Sequence, residues 1–192
     1  SDANTYTGTT TISAGTLTLT GSLSSSTDVS MTGSSVWDLQ VGQTIASLSM
    51  ATGNSITRSS GSSSLTVTGT STLAGSVTTS GTQTYTGAVT LGANTSLSST
   101  SNGLVWFKST VGNSSAKTLD ISSGTGGVTF ASTVGATTAL GAVTITTSGT
   151  TTMTGTFAAA SLSSGSGTTA INGGSVTTTG AQTYNGAVTL GA

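Results

Sequence analysis

Cysteine, histidine, proline and glutamate are all missing from this 192-residue sequence. Without His or Cys, neither a Ser-His-Asp triad nor a Cys-His pair can be assembled, and zinc lacks the nitrogen and sulfur ligands that it prefers. Charge is scarce as well, because the three Lys or Arg and four Asp residues give a net charge of −1. Three scattered basic residues are too few to follow a phosphate backbone. We therefore predict no cofactor, no metal site and no nucleic-acid partner.

Carboxylates are too dispersed to suggest hydrolysis. Carbohydrate-cleaving sites need two or three carboxyl groups that converge on one face. Asp28 and Asp38 are the only pair near enough in sequence to be considered, and surface scatter explains them better. The G-G-x-G-x-D pattern of calcium-binding repeats is also missing. The chain is predicted not to be an enzyme.

Long apolar runs are absent too. The longest, residues 104–107, is far shorter than the roughly 20 apolar residues of a membrane-spanning helix. No signal peptide is recognisable at the start, which lacks a basic segment followed by an apolar one. We expect no direct membrane insertion.

What is present is a strong alternation of apolar residues with Thr or Ser, bounded by Gly, Asn or Ser. A period of two is typical of strands with one buried face, and no ten-residue stretch has apolar residues at helical spacing. The sequence therefore predicts an all-β protein. The side chains predicted to point inward are Leu17, Leu19, Val67, Val89, Leu91, Val128, Phe130, Val143, Ile145, Val188 and Leu190.

A tyrosine motif repeats three times and contains every Tyr of the chain. It reads Thr-Tyr-Thr-Gly around Tyr6 and Tyr85 and Thr-Tyr-Asn-Gly around Tyr184. Around the last two copies, residues 75–93 and 174–192 are identical at 16 of 19 positions, at an offset of 99 residues. Such a period indicates a repeat architecture.

Repeats, alternation and low charge together favour a right-handed parallel β-helix, or β-solenoid, built from imperfect repeats. Stacked coils lie about 4.8 Å apart, so a charge at the same position of successive coils would face a like charge. Coils of about 20–25 residues would give roughly eight or nine coils. We predict one continuous repeat region over residues 1–192, with approximate units 1–79, 80–178 and the start of another at 179–192, and interpret it as a slice of a longer protein.

The tyrosine motif also carries a family resemblance. Residues 4–17 resemble the autotransporter-associated β-strand repeat, whose pattern runs N-T-Y-T-G-x-T-T-I-x-x-G-T-L. Residues 28–49 are similar to the L-D-L and Q-T-I-x-S-L segments downstream of it, with Trp37 where Leu is usual. Residues 81–192 resemble the longer V-T-F and G-A-V-T-L repeats of very large surface adhesins.

The resemblance implies a parallel β-helix in the passenger region of a giant secreted or cell-surface protein of a Gram-negative bacterium. It implies no catalytic residue. The expected function is that of a rigid adhesin stalk that adds weak multivalent contacts, with further copies of the repeat and cell-surface glycans or matrix as partners. Two alternatives stay open. One is a self-assembling subunit of a filament, sheath or surface layer, and the other is an ice-binding solenoid, suggested by Thr-x-Thr pairs.

The aromatic residues have two interpretations, one as ligand-binding surface residues and one as structural packing residues. Tyr6, Tyr85 and Tyr184 would form an exposed stripe if they bound a ligand; we instead expect each ring to pack over a coil corner. The following glycines, Gly8, Gly87 and Gly186, would then allow a turn that other residues resist. Trp37 and Trp106 are candidate surface aromatics, although core filling explains them better.

Overall fold

The computed structural model describes residues 3–191, and within them every regular element is a β-strand. The strands form three parallel sheets, which are the three sides of a solenoid. Side one contains β1 (Thr10–Ile12), β3 (Asp28–Met31), β6 (Ser47–Met50), β9 (Ser71–Leu73), β12 (Val89–Leu91) and β15 (Val111–Asn113). Side two contains β2 (Thr16–Leu19), β4 (Val36–Leu39), β7 (Asn54–Thr57), β10 (Gly75–Thr79), β13 (Thr95–Ser99), β16 (Leu119–Gly124), β18 (Leu140–Thr147), β20 (Phe157–Ser164), β22 (Val176–Thr178) and β23 (Gln182–Tyr184). Side three contains β5 (Val41–Ile45), β8 (Ser62–Val67), β11 (Gln83–Tyr85), β14 (Val105–Phe107), β17 (Val128–Phe130), β19 (Thr151–Met153), β21 (Thr169–Ile171) and β24 (Val188–Leu190).

From β3 to β17 the chain visits the three sides in order, and every coil lies directly on the coil before it. The chain makes about nine turns in this way, which confirms the predicted β-solenoid. Near the end β20 is long enough to pair with both β22 and β23, and single bridges through Val134 connect its first residue to side one. At a spacing of about 4.8 Å per coil, nine turns rise about 40 Å.

The interior is a continuous apolar column on each side. On side two, Trp37, Ile56, Val77, Leu97 and Ile121 stack in register and are all buried. Because side chains alternate between the faces of a strand, the intervening Ser and Thr lie outside. The hydrophobic effect thus acts along the full stack through one connected core.

Most of the predicted inward residues are confirmed as buried, and three differ. The buried ones are Leu19, Val67, Val89, Leu91, Val128, Phe130, Val143 and Ile145. Leu17 is only partly buried, because it lies in the first coil and contacts the core from one side. Val188 and Leu190 are in register with Thr169 and Ile171 but are exposed. No described residue covers the other side of their coil, so an inward position does not bury them.

The near-identical repeats do not occupy the same side of the solenoid. Gln-Thr-Tyr forms β11 on side three and β23 on side two, while Val-Thr-Leu forms β12 on side one and β24 on side three. An offset of 99 residues therefore does not equal a whole number of coils. Residues 75–92 and 174–191 nevertheless fold into the same three strands. Their conformation is therefore set within the coil and not by the side on which each strand lies.

Candidate functional site

Tyr85 lies inside the solenoid and not over a coil corner. Its side chain is fully buried, and its ring stacks on Phe107 with centroids 5.3 Å apart and planes 14° apart. Phe107 stacks in turn on Phe130 at 5.1 Å, and Phe130 meets Phe157 edge-on at 5.4 Å. Tyr85, Phe107 and Phe130 form an aromatic ladder along side three, and Phe157 of β20 packs edge-on against its last ring. The expectation that each ring packs over the turn at the following Gly does not describe Tyr85, because the alternation within β11 points its ring into the core.

The tyrosine hydroxyl is satisfied inside the core by Gln83. Tyr85 Oη donates to Gln83 Oε1 at 3.1 Å, and Gln83 Nε2 lies 3.1 Å from the Val77 carbonyl oxygen and 3.2 Å from Thr79 Oγ1. Nε2 also donates to the carbonyl oxygen of Ser98, in the next coil, at 2.9 Å. Burial raises the pKa of the Tyr85 hydroxyl far above its usual value. The network therefore stabilises the neutral phenol and connects two coils.

Tyr184 has the same local network with one contact missing. Its Oη donates to Gln182 Oε1 at 2.8 Å, and Gln182 Nε2 lies 3.2 Å from both the Val176 carbonyl oxygen and Thr178 Oγ1. No described residue supplies the acceptor that Ser98 provides to Gln83. Tyr184 is partly buried, and desolvation raises its pKa. The tyrosine motif thus includes the Gln two residues before Tyr85 and Tyr184. The sequence alone did not single out this Gln, although the last two copies both contain it.

Tyr6 differs from the other two tyrosines. It is 47 % exposed, and its hydroxyl is 2.8 Å from Thr10 Oγ1. Asn4 stands where the other copies have Gln, so the amide network cannot form. With Tyr6 exposed and Tyr85 fully buried, the three rings do not make the surface stripe that a ligand-binding interpretation requires.

Two of the three motif glycines are required for space, and none of the three for a left-handed backbone. None of Gly8, Gly87 and Gly186 has a positive φ. A Cβ atom on Gly87 would lie 2.3 Å from the backbone oxygen of Gly69 in the preceding coil, and one on Gly186 would lie 2.2 Å from that of Gly167. A Cβ on Gly8 would meet nothing within 4 Å. The turn explanation is therefore wrong at these positions, because neighbouring backbones approach too closely for a side chain at two of them.

The two tryptophans lie on different sides of the solenoid, Trp37 pointing inward from side two and Trp106 outward from side three. Trp37 is fully buried, and its Nε1 has no hydrogen-bond partner, so it is not a surface aromatic. Trp106 points outward on side three and is partly buried. Lys108 Nζ lies 4.1 Å from the centroid of its ring, a cation–π contact that covers the ring face. A sugar could stack on Trp106 only after Lys108 moved away.

Asp28 and Asp38 are kept apart by the fold, since β3 lies on side one and β4 on side two. Asp38 is nearly buried and accepts hydrogen bonds from Ser59 N at 2.7 Å, Ser59 Oγ at 2.6 Å and Gln40 Nε2 at 3.0 Å. Burial raises the pKa of this carboxyl, but the hydrogen bonds from Ser59, Gln40 and Thr18 outweigh burial and lower the pKa below its usual value. Asp38 is thus held as a carboxylate that joins neighbouring coils.

The outer faces are almost entirely hydroxyl-bearing and neutral. On side two one outward column consists of Thr16, Val36, Ser55, Ser76, Ser96, Asp120, Thr144, Ser163 and Thr183. On side three the outward column consists of Thr44, Thr66, Thr84, Trp106, Thr129, Thr152, Ala170 and Thr189. Among residues 3–191, no three His, Cys, Asp or Glu side chains lie close enough to hold a metal ion. Within the same range there is no helix long and apolar enough to cross a membrane.

Comparison with known proteins gives no relative. No family model matches the chain, and neither the curated proteins nor the solved structures contain a significant match.

Proposed function

We propose that this chain is a structural repeat region of a secreted or cell-surface bacterial adhesin, where it acts as a rigid stalk. The observation that carries the proposal is the single apolar core, with its aromatic ladder, that runs through successive coils. Each coil contacts only its neighbours, so adding coils lengthens the molecule without changing its cross-section. This geometry is suited to holding a distal domain away from a surface.

The outer faces favour weak attachment at many points. Ser and Thr hydroxyls recur coil after coil at the same outward positions, and each can donate and accept a hydrogen bond. Individually such contacts are weak, yet many equivalent contacts on one molecule raise the overall avidity. Neutral polyhydroxylated partners, such as cell-surface glycans or matrix, match this surface. The scarcity of charge is the reason for not proposing a nucleic acid.

The location is supported by the tyrosine motif. Residues 4–17 follow the pattern of the autotransporter-associated repeat, which occurs in passenger regions at the surface of Gram-negative bacteria. We extend that location to this chain as part of the proposal.

The stalk proposal can be tested by placing the chain between a cell-surface anchor and a binding domain of known ligand. Cells that display this fusion should capture ligand-coated beads. Val77→Asp, which puts a charge into the core column, should reduce capture, while Thr78→Asp, on the outward face of the same strand, should not. If the Val77→Asp variant captures beads as well as the wild type at equal display, the proposal that a rigid solenoid holds the binding domain away from the cell is wrong.

Of the alternatives, ice binding receives less support than self-assembly. An ice-binding face would need Thr at both outward positions in consecutive coils, and on side three that array is interrupted by Trp106 and Lys108. Self-assembly into a filament, sheath or layer is favoured by one observation, the neutral Thr-rich outer columns, along which copies can associate side by side without like-charge repulsion.

A further inference from the structure

The outward column of side one contains a gap in the middle of the chain. The residues that point outward from its strands stand in register as Thr11, Ser30, Ser49, Thr72, Thr90 and Gly112. A hydroxyl-bearing side chain therefore occupies this position in coil after coil until β15, where Gly112 leaves the position empty. Gly112 lines a surface cavity of about 170 Å³.

Neither backbone conformation nor packing requires a glycine at this position. The φ of Gly112 is not positive, and β15 pairs with β12 in continuous register. A Cβ atom added to Gly112 would meet nothing within 4 Å. At every other strand glycine of the described chain, an added Cβ would lie 3.0 Å or less from another atom; these are Gly42, Gly75, Gly124 and Gly141.

The gap at Gly112 is therefore suited to a ligand. Glycine inside a strand weakens the strand, and it often marks a bulge, a bend or a place where a ligand or another backbone approaches closely. The continuous register excludes a bulge, and no backbone approaches Gly112. A ligand is the remaining reason for an open space in this column.

The cavity lies between β15 and the loop that connects β17 to β18. Among the described residues, β15 is the last strand of side one, and the next coil meets it only at Val134. There Gly135 N donates to the Val111 carbonyl oxygen at 2.8 Å. After Gly135, whose φ is 67°, the loop departs from the sheet and forms the second wall of the cavity. The lining residues are Thr110, Val111, Gly112 and Asn113 on the first wall and Thr133, Ala136, Thr137 and Thr138 on the second.

The walls offer hydroxyl groups and an amide but no charge. Four of the eight lining residues are threonines, and none is ionisable. Asn113 Oδ1 is buried and accepts no hydrogen bond from a described residue, while Asn113 Nδ2 lies 3.5 Å from the Ala139 carbonyl oxygen. A buried acceptor without a donor is unfavourable, and a donor on a ligand would satisfy it. The ligand should thus be neutral and rich in hydroxyl groups.

The size of the cavity limits the ligand to one small ring. A water molecule takes up about 30 Å³ in the liquid, so the cavity has room for roughly six waters. Sites for drug-sized ligands are larger, at about 300–1,000 Å³. A single sugar ring matches both the volume and the hydroxyl-rich lining, whereas an oligosaccharide would extend out of the cavity.

We propose that this cavity binds one neutral hexose unit at the end of a cell-surface glycan. The inference rests on the proposed adhesin function and names the ligand of one of its weak contacts. Its failure would leave the stalk proposal standing, because the bead-capture experiment uses a separate binding domain and needs no bound sugar.

The test measures the binding of the methyl glycosides of glucose, galactose and mannose to the purified protein by saturation-transfer difference NMR and titration. At least one should bind the wild type in the millimolar range. Gly112→Thr continues the hydroxyl column into the cavity and should weaken that binding by about ten-fold or more. The midpoint of thermal unfolding should not fall, because strands favour Thr over Gly.

Gly8→Thr is the matched control. A Cβ atom on Gly8 also meets nothing within 4 Å, but Gly8 does not line the cavity, so this variant should bind the sugar as the wild type does. Asn113→Ala removes the amide acceptor while leaving the cavity open, and it should weaken binding as well. A uronic acid should bind no more tightly than the matching hexoside, because the lining is uncharged.

Three results would overturn the inference. If none of the hexosides binds the wild type, the cavity holds only water. If Gly112→Thr binds the sugar as tightly as the wild type, the sugar lies elsewhere on the surface. If the uronic acid binds more tightly than the hexoside, the ligand is not neutral.

Discussion

Replacing Tyr85 by Ala should be among the most destabilising single changes in the chain. Removal of a fully buried aromatic side chain typically costs about 3–5 kcal/mol, including the cavity that it leaves. The variant also leaves Gln83 Oε1 without its donor in the core, which adds about 1–3 kcal/mol if no water replaces it. We therefore expect a loss of about 4 kcal/mol or more, a large part of the roughly 5–15 kcal/mol that usually stabilises a domain.

Tyr6→Ala is the matched control. Tyr6 belongs to the same motif but is 47 % exposed, and its hydroxyl makes one hydrogen bond to Thr10. Its removal should therefore lower the free energy of unfolding by about 1 kcal/mol or less. Tyr85→Phe separates the ring from the hydroxyl, since it keeps the stacking on Phe107 and loses only the bond to Gln83.

The assay is guanidinium unfolding followed by far-UV circular dichroism. Because repeat proteins can unfold in segments, the slope of the transition must be equal among the variants before the free energies are compared. If the free energies of unfolding of Tyr85→Ala and Tyr6→Ala agree within about 1 kcal/mol, the aromatic ladder does not stabilise the solenoid as argued.

Three further outcomes follow from contacts in the core and between coils. Gly87→Ala should lower the free energy of unfolding by about 1–3 kcal/mol, because its Cβ would overlap the preceding coil, while Gly8→Ala should change it little; equal values for the two would contradict the steric argument. Asp38 has a lowered pKa in the folded state, so its stabilising effect is present above about pH 4 and is lost as the pH falls through the folded-state pKa. Thermal melts should then show Asp38→Asn below the wild type at neutral pH and the gap narrowing in acid; a constant gap would exclude this linkage. Burial raises the pKa of Tyr85, so the phenol stabilises the fold up to about pH 10 and opposes it above. Melts of Tyr85→Phe should therefore fall less steeply above that pH than those of the wild type, and parallel curves would refute the assignment.

The fold class could be predicted from the sequence because it depends on local alternation. In runs such as residues 65–67 or 143–145, an apolar residue at every second position can bury its side chains only as a strand with one face inward. Low charge and a long repeat then favour stacking of parallel coils. The inward set was correct through the middle of the chain for the same reason. It differed at Val188 and Leu190, because burial requires a covering coil as well as the right face.

The surroundings of the three tyrosines could not be predicted from the sequence, because they depend on contacts between coils. Those contacts join residues about 20 apart in sequence. Three copies of one motif place Tyr6 at the surface, Tyr85 in an aromatic ladder and Tyr184, partly buried, in the last described coil. The motif is nearly constant, so the difference comes from what lies above and below each copy. Which residues lie above and below a copy depends on the lengths of all the strands and turns between them. Local sequence preferences do not encode that sum. The same sum places identical strands on different sides of the solenoid, and it brings Gly87 against the backbone of Gly69.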